Sequence, residues 1–445
     1  MDPVVSFIIP YFNASSTLRR ALESIAAQTY AGPLEVSCFD DCSTDGSSDV
    51  VRAWAAEVRS RDVSVSVTSG RNFGAVGPRG PGWARNRAVA ASRGAYLCFL
   101  DADDEALPRR VEVQLAAARA SPGALIGGRF LREPRDATPR YAAWANGMRA
   151  DELTLHAWRE CTLLQPTWFI ARADFLAVGG YDETPPKFWA ACDAAGVAAG
   201  GGHHPPLIGR PPSHLSADDI VTGAPFVTFP EDTIFFHRHL AVWSARTMRS
   251  CEGASGAAAT RVAVPLVRVD EPVIVYHYSA GSLSWRVPRT TLGAVRAAIF
   301  EERVLAPPTG GGLRALSIWG AGRDGKDFFN ALSPKGRLRV RAFIDIDSKK
   351  VGNVYPPPAR RKRERSDATN TDADAANTRL PLEPAPLPIR HYLKTLPDEA
   401  RAVVVCVALD AGGDELRANI RAASEALVAA GGDALVEGVN LWFMC

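Results

Sequence analysis

The chain has 445 residues, 47% hydrophobic and 22% charged, which is enough for two domains with ordinary cores. Its 51 basic and 49 acidic residues leave a net charge of +2, so no positive excess points to nucleic acid as a partner. The eight cysteines form no CxxC pair, which argues against a zinc site or a disulfide framework and for reduced thiols in a cytoplasmic setting.

The chain runs early into a strand, Val4 to Ile9, with no basic n-region before it, and no apolar run approaches the roughly 20 residues of a membrane span. That strand is apolar throughout, as expected when both faces of a parallel sheet are covered. Leu18, Leu22 and Ile25 then recur at helical spacing, with Ser15 or Ser16 placed to cap. A second strand, Leu34 to Phe39, ends at Asp40-Asp41, and a helix is predicted from Ser47 to Arg59. A third strand (Val63 to Thr68), a helix (Ala84 to Arg93) and a fourth strand (Tyr96 to Leu100) follow. This rhythm predicts a doubly wound α/β sheet with ligands beyond the carboxyl ends of the strands.

Polar clusters fall at those ends: Tyr11 and Asn13, Asp40 and Asp45, then Asp101, Asp103 and Asp104. Three carboxylates within four residues repel one another unless a cation sits among them. A hard divalent ion carrying a diphosphate suits that place, because Mg²⁺ or Mn²⁺ takes carboxylate and phosphate oxygens. The alternative is a polar strand end leading into a helix, with Asp104 as its cap.

Residues 190–225 and 251–260 are rich in small residues and read as insertions. His203-His204, and His237 with His239, lack metal-ligand spacing. A linker is expected at 306–312, Ala-Pro-Pro-Thr-Gly-Gly-Gly. It separates a first domain over 1–305 from a second, smaller Rossmann-like α/β domain over 313–445, which carries a disordered insertion at about 356–386. In the second domain a strand (Ala315 to Trp319) leads through Gly320, Gly322 and Gly325 into a helix (Lys326 to Leu332). A further strand (Val340 to Ile344) ends at Asp345. That context fits a nucleotide such as NAD, with Asp345 on the ribose. The favoured expectation is a turn kept to pack strand on helix, in an interaction or regulatory domain without bound NAD.

The first domain resembles the family 2 glycosyltransferases of the GT-A fold, whose sheet is mixed but mainly parallel and lies between helices. The matching runs are Ile8-Ile9-Pro10-Tyr11-Phe12-Asn13, Asp40-Asp41-Cys42-Ser43-Thr44-Asp45-Gly46-Ser47, Ala84-Arg85-Asn86-Arg87, Gly94-Ala95-Tyr96 and Phe99 through Asp104. Gly179-Gly180-Tyr181-Asp182 and Glu231-Asp232 look like the acceptor-side motifs. With its second α/β unit, the whole chain looks like the β-1,3-N-acetylglucosaminyltransferase-like proteins.

The resemblance implies a metal-dependent inverting transferase that moves a sugar from a nucleotide sugar to an acceptor hydroxyl. The donor is expected to be a UDP-sugar, UDP-GlcNAc among them, and the acceptor a glycan, a protein or a small molecule. Asp40 would accept a hydrogen bond from the uracil, with Asp45 and Asn13 nearby. Pro10 and Tyr11 would shape the base pocket, and Arg85 would either touch the diphosphate or brace its helix. Asp101 would meet the ribose or a metal-bound water, and Asp103 would ligate the metal. Asp232 matches the general base, with Glu231 orienting it or binding the acceptor; the competing role for Asp232 is a helix cap. One base and no second nucleophile imply a single displacement. The strand Val273 to Ser279 departs from the pattern, because Ser279 stands where related enzymes carry a metal-binding histidine. His277 lies two residues earlier, on the same strand face, and is either the substitute or a buried, hydrogen-bonded core histidine. A catalytically weak nucleotide-sugar-binding or regulatory protein is the alternative reading.

Overall fold

The structure is a computed structural model. It describes residues 2–58, 63–75, 77–183, 230–252, 264–279, 287–307, 312–355, 386–395, 397–399, 401–407, 409–437 and 439–444. Most of the predicted insertions at 190–225, 251–260 and 356–386, and the centre of the 306–312 linker, lie outside these residues. So do His203 and His204. The chain divides into two units, with a boundary at Pro288–Arg289.

The first unit is built on an eight-stranded sheet. β1 (Val5–Tyr11), β2 (Leu34–Asp40), β3 (Val63–Ser69) and β4 (Tyr96–Phe99) come first in the chain. β5 (Glu105–Ala106), β6 (Leu125–Glu133), β7 (Phe169–Ala171) and β8 (Leu266–His277) follow. Their spatial order is β3-β2-β1-β4-β7-β6-β8-β5. The first four pair in parallel, β7 runs antiparallel to both β4 and β6, and β8 returns parallel to β6. β1 and β2 are buried along their whole length, as their unbroken apolar runs require. β3 is only half-buried, because it forms the sheet edge and one side has no neighbour.

Register sets the site. Tyr11 pairs with Asp40, so both strands end at the same level and their loops lie side by side. The helix α1 (Leu18–Ala26) is not capped by Ser15 or Ser16; Thr17 occupies that position and makes no side-chain cap bond. The Ser15 amide instead donates to Asp45 Oδ2 at 3.0 Å, and the Ala14 amide to Oγ of Ser47, the first residue of α2 (Ser47–Glu57), at 2.8 Å. The end of β4 is fixed from below. Arg110, almost fully buried, donates to the carbonyls of Phe99 (2.7 Å) and Pro166 (2.9 Å) and to Gln114.

The second unit is a six-stranded sheet. It contains β9 (Leu316–Trp319), β10 (Val340–Asp345), β11 (Val354–Tyr355), β12 (Leu387–His391), β13 (Val403–Val405) and β14 (Leu441–Phe443). The order β11-β12-β10-β9-β13-β14 is parallel except at the β11 edge, which is the doubly wound arrangement expected from the sequence. The boundary falls ahead of the expected linker because the helix Arg289–Phe300 packs in this unit. Phe300 stacks edge-on against Phe328 (5.8 Å) and Trp442 (5.6 Å), and Glu301 accepts hydrogen bonds from the Ser333 amide and hydroxyl.

These contacts yield a prediction about where the unit begins. A fragment starting at Arg289 should fold cooperatively. One starting at Leu313 should be less stable by about 3 kcal/mol or more, the usual cost of losing a buried phenylalanine. Chemical denaturation of the two fragments checks this, and equal stabilities would return the boundary to 306–312.

Candidate functional site

The carboxyl ends of β1, β2 and β4 converge on a surface lined with acids. Asp40 closes β2, where its oxygens accept from the Ser43 amide (2.8 Å) and the Ser48 hydroxyl (3.0 Å). The Ser48 hydroxyl also meets the Tyr11 phenol at 3.1 Å. Tyr11 and Pro10 are buried beneath this loop pair. Asn13 takes a left-handed conformation (φ 48°) and accepts the Thr44 amide at 2.8 Å. Burial opposes ionisation of Asp45, yet bonds from Ser47 and Ser15 win and hold its carboxyl down at about 2. Asn13 and Asp45 therefore tie the two loops together.

Asp41 faces inward. Its carboxylate accepts the amides of Arg79 (2.9 Å) and Gly80 (2.7 Å), which fixes the start of α3 (Pro81–Ala90). Desolvation pushes its pKa up to about 6 despite those bonds. No feature of the sequence separated Asp41 from Asp40.

α3 carries the group that joins the site. Arg85 is buried; its NH2 donates to Asp101 Oδ1 at 2.7 Å and its NH1 to Glu231 Oε1 at 2.9 Å. The guanidinium lies 5.5 Å from the centroid of the fully buried Tyr181 ring. Next to it, Asn86 brackets Tyr181, accepting the Tyr181 amide and donating to its carbonyl, and Arg87 pairs with Glu183 at 2.9 Å. Gly180, at φ 70°, leaves room for this approach; a Cβ there would sit 2.8 Å from Asn86 Oδ1. Gly82 does the same for Glu231, whose Cγ would lie 2.7 Å from an added Cβ.

Asp101, Asp103 and Asp104 each present a carboxylate oxygen, all within 4.8 Å of one another. Asp104 is not the expected helix cap: the next helix begins at Arg110, after β5. It is buried, with Oδ1 accepting the His277 amide at 2.9 Å and Oδ2 without any partner. Desolvation and the neighbouring acids hold its pKa well above the ordinary range. Burial, then the Asp101 charge, pushes Asp103 up to about 6. An orphaned buried oxygen among three hard oxygen donors fits a divalent cation such as Mn²⁺ or Mg²⁺. The His277 ring lies beside this cluster with Nε2 2.8 Å from Glu105, a carboxylate–histidine pairing of the kind that orients metal ligands. Ser279 lies beyond the end of β8.

Glu231 and Asp232 open the helix Glu231–Glu252. Burial dominates at Glu231, followed by the Asp232 charge, and together they outweigh Arg85 and push its pKa up to about 7. Burial and then Glu160 raise Asp232, whose Oδ1 accepts the Thr233 amide at 2.7 Å. Glu160 escaped the sequence reading because it belongs to no recognisable run. His237 stacks on Trp158 and His239 meets the Pro265 carbonyl, so these two do not converge on a metal.

In the second unit, Gly320 (φ 109°) makes the turn after β9, and a Cβ on Gly325 would fall 1.8 Å from the Gly320 carbonyl oxygen. The turn thus presses strand against helix. Asp345 accepts the Ala321 amide at 2.8 Å and pairs with Lys350 at 3.2 Å, so its carboxylate is already engaged. Gly322 sits just ahead of the helix Arg323–Ala331.

The Glu231 environment gives a pH dependence with a definite sign. Its folded pKa of about 7 exceeds the ordinary 4.5, so the folded state holds an extra proton between those values and stability falls as pH rises through that window. Glu231→Gln should remove part of that decline. Thermal melting from pH 4.5 to 7.5 checks it; identical slopes would show that Glu231 ionises normally.

Residues 6–176 match the family described as Glycosyl transferase family 2. The succinoglycan biosynthesis protein ExoO of Rhizobium meliloti (strain 1021) is 35% identical over 119 residues, covering 27% of this chain and 31% of that protein. Validoxylamine A glucosyltransferase of Streptomyces hygroscopicus subsp. jinggangensis is 31% identical over 214 residues, covering 41% and 47%. The chain thus spans less than half the length of these curated relatives. Among solved structures, S. aureus TarS 1-349 in complex with UDP-GlcNAc aligns with a TM-score of 0.42 at 16% identity, over 67% of this chain and 66% of that one. No helix among the described residues is long and apolar enough to cross a membrane. The matched residues 6–176 run from β1 into the helix that follows β7 and so include the ends of β1, β2 and β4 where the acids converge.

Proposed function

We propose that this chain is a metal-dependent inverting glycosyltransferase that moves a sugar from a nucleotide sugar to an acceptor hydroxyl. The donor is a UDP-sugar, with UDP-GlcNAc a candidate, and the acceptor is a glycan, a protein or a small molecule. One observation carries the reading: a single buried guanidinium, Arg85, joins Asp101 of the acidic triad to Glu231 beside Asp232. Cation-binding carboxylates and a candidate base are thereby held at the two ends of one rigid fork. The glucosyltransferase name of one relative agrees with it.

The roles follow from the chemistry. Asp40, at the end of β2, receives the base, with Pro10 and Tyr11 as its floor. Asn13 and Asp45 keep the surrounding loops closed, and Asp101 takes a ribose hydroxyl. Asp103, with Asp101, Asp104 and His277 near, would hold the cation. When bound, that ion neutralises the charge developing on the departing diphosphate. Asp232 Oδ2 accepts the acceptor proton; burial has raised its pKa, which strengthens it as a base. Glu231, fixed by Arg85 over Gly82, orients the acceptor side. A single displacement converts an α-linked donor into a β-linked product. The second unit, with Gly320, Gly322, Gly325 and Asp345, works as an interaction or regulatory domain without NAD.

Two substitutions separate these roles. Asp103→Ala should abolish Mn²⁺-dependent UDP binding in calorimetry, and wild-type affinity in EDTA would contradict the metal assignment. Asp232→Asn should leave UDP affinity within about twofold and lower transfer by about 10²-fold or more. Normal turnover in that variant would reduce Asp232 to a helix-start residue.

A further inference from the structure

Arg132 lies near the end of β6, opposite Tyr276 of β8. Its guanidinium carbon sits 4.2 Å from the Tyr276 ring centroid and 5.2 Å from that of Tyr278, so two phenol faces hold it. Nε and NH1 of this group are shielded from water without a hydrogen-bond partner, and the one hydrogen bond the side chain makes among the described residues is to the Tyr276 phenol. No carboxylate among the described residues pairs with it. Arg129 and Arg85 also each keep a buried Nε without a partner, but both have carboxylates: Arg129 pairs with Asp270 at 3.1 Å, and Arg85 with Asp101 and Glu231.

Two buried, unsatisfied donors on a guanidinium without a carboxylate partner cost free energy. Stacking on tyrosines lowers part of that cost and orients the planar fork, which is how arginine is presented to phosphate. Location supports a substrate role. Tyr276 lies within electrostatic reach of Asp101 and Asp104, and Phe130 packs edge-on to it at 5.8 Å. Phe130 in turn meets Tyr141, whose buried phenol senses both Tyr276 and Asp232. Arg132 is thus linked to the acidic triad through Tyr276, and to the candidate base through Tyr276, Phe130 and Tyr141.

We propose that Arg132 is an anion-binding residue of this site that donates its free N–H groups to a phosphate oxygen of a substrate. The inference rests on the transferase reading for which substrate that is. The phosphate belongs either to the donor diphosphate or to a phosphorylated acceptor.

Inorganic phosphate is the probe. The full chain, its Arg132→Lys variant and its Arg132→Gln variant are titrated with phosphate by calorimetry, without and with saturating UDP and Mn²⁺. The wild type should bind phosphate, Arg132→Gln at least tenfold more weakly, and Arg132→Lys in between, since a lysine keeps the charge without the fork. Melting curves establish that both variants fold. Displacement of phosphate by UDP assigns the group to the donor diphosphate, and retention beside UDP assigns it to the acceptor. Equal phosphate affinity in the wild type and Arg132→Gln, or none in the wild type, overturns the proposal. A wild type that binds phosphate at Arg132 but not UDP would leave the anion site standing and defeat the transferase reading.

Discussion

Arg85 is the constraint on which the site depends. It is buried, it cannot lose its proton, and its fork reaches Asp101 at the end of β4 and Glu231 at the start of a helix. Removing such a cation would leave two carboxylates facing each other in a region of low dielectric. The surrounding sequence answers to that need. Asp41 fixes the turn into α3, Gly82 clears the path for Glu231, Tyr181 floors the guanidinium, and Asn86 grips the Tyr181 backbone. Each places Arg85 rather than taking part in the chemistry.

The acids around it are crowded and dry. Asp41 and Asp103 are both raised to about 6 and Glu231 to about 7, in each case chiefly by burial. Arg110 sits fully buried below the end of β4 and hydrogen-bonds the Phe99 and Pro166 carbonyls and Gln114; its charge reaches Asp104 through space but is outweighed there by burial and the neighbouring acids. The cluster around Asp103 thus keeps an excess of negative charge. That excess is what suits the cation proposed for it.

Much of this was legible in the chain. Parallel strands covered on both faces write themselves as unbroken apolar runs, so β1, β2 and β4 and the carboxylates at their ends could be read directly. The Arg85–Glu231 pair could not, because 146 residues separate the partners and neither sits in a periodic pattern that announces the other. Ser15 and Ser16 had the local composition of a cap, but both the amide and the hydroxyl of Ser15 turn to Asp45 of the neighbouring loop. The first unit ended earlier than the Pro/Gly-rich linker suggested, since burial of Phe300 against Phe328 and Trp442 is a tertiary fact with no signature in composition.

The most direct test of the account is a double-mutant cycle between Asp101→Asn and Glu231→Gln, read as kcat/KM for UDP release from UDP-GlcNAc with Mn²⁺. If Arg85 binds the two carboxylates into one unit, the losses will be non-additive, with a coupling of about 0.5–3 kcal/mol. Strict additivity would show that the donor and acceptor halves of the site act independently, and would contradict the central claim.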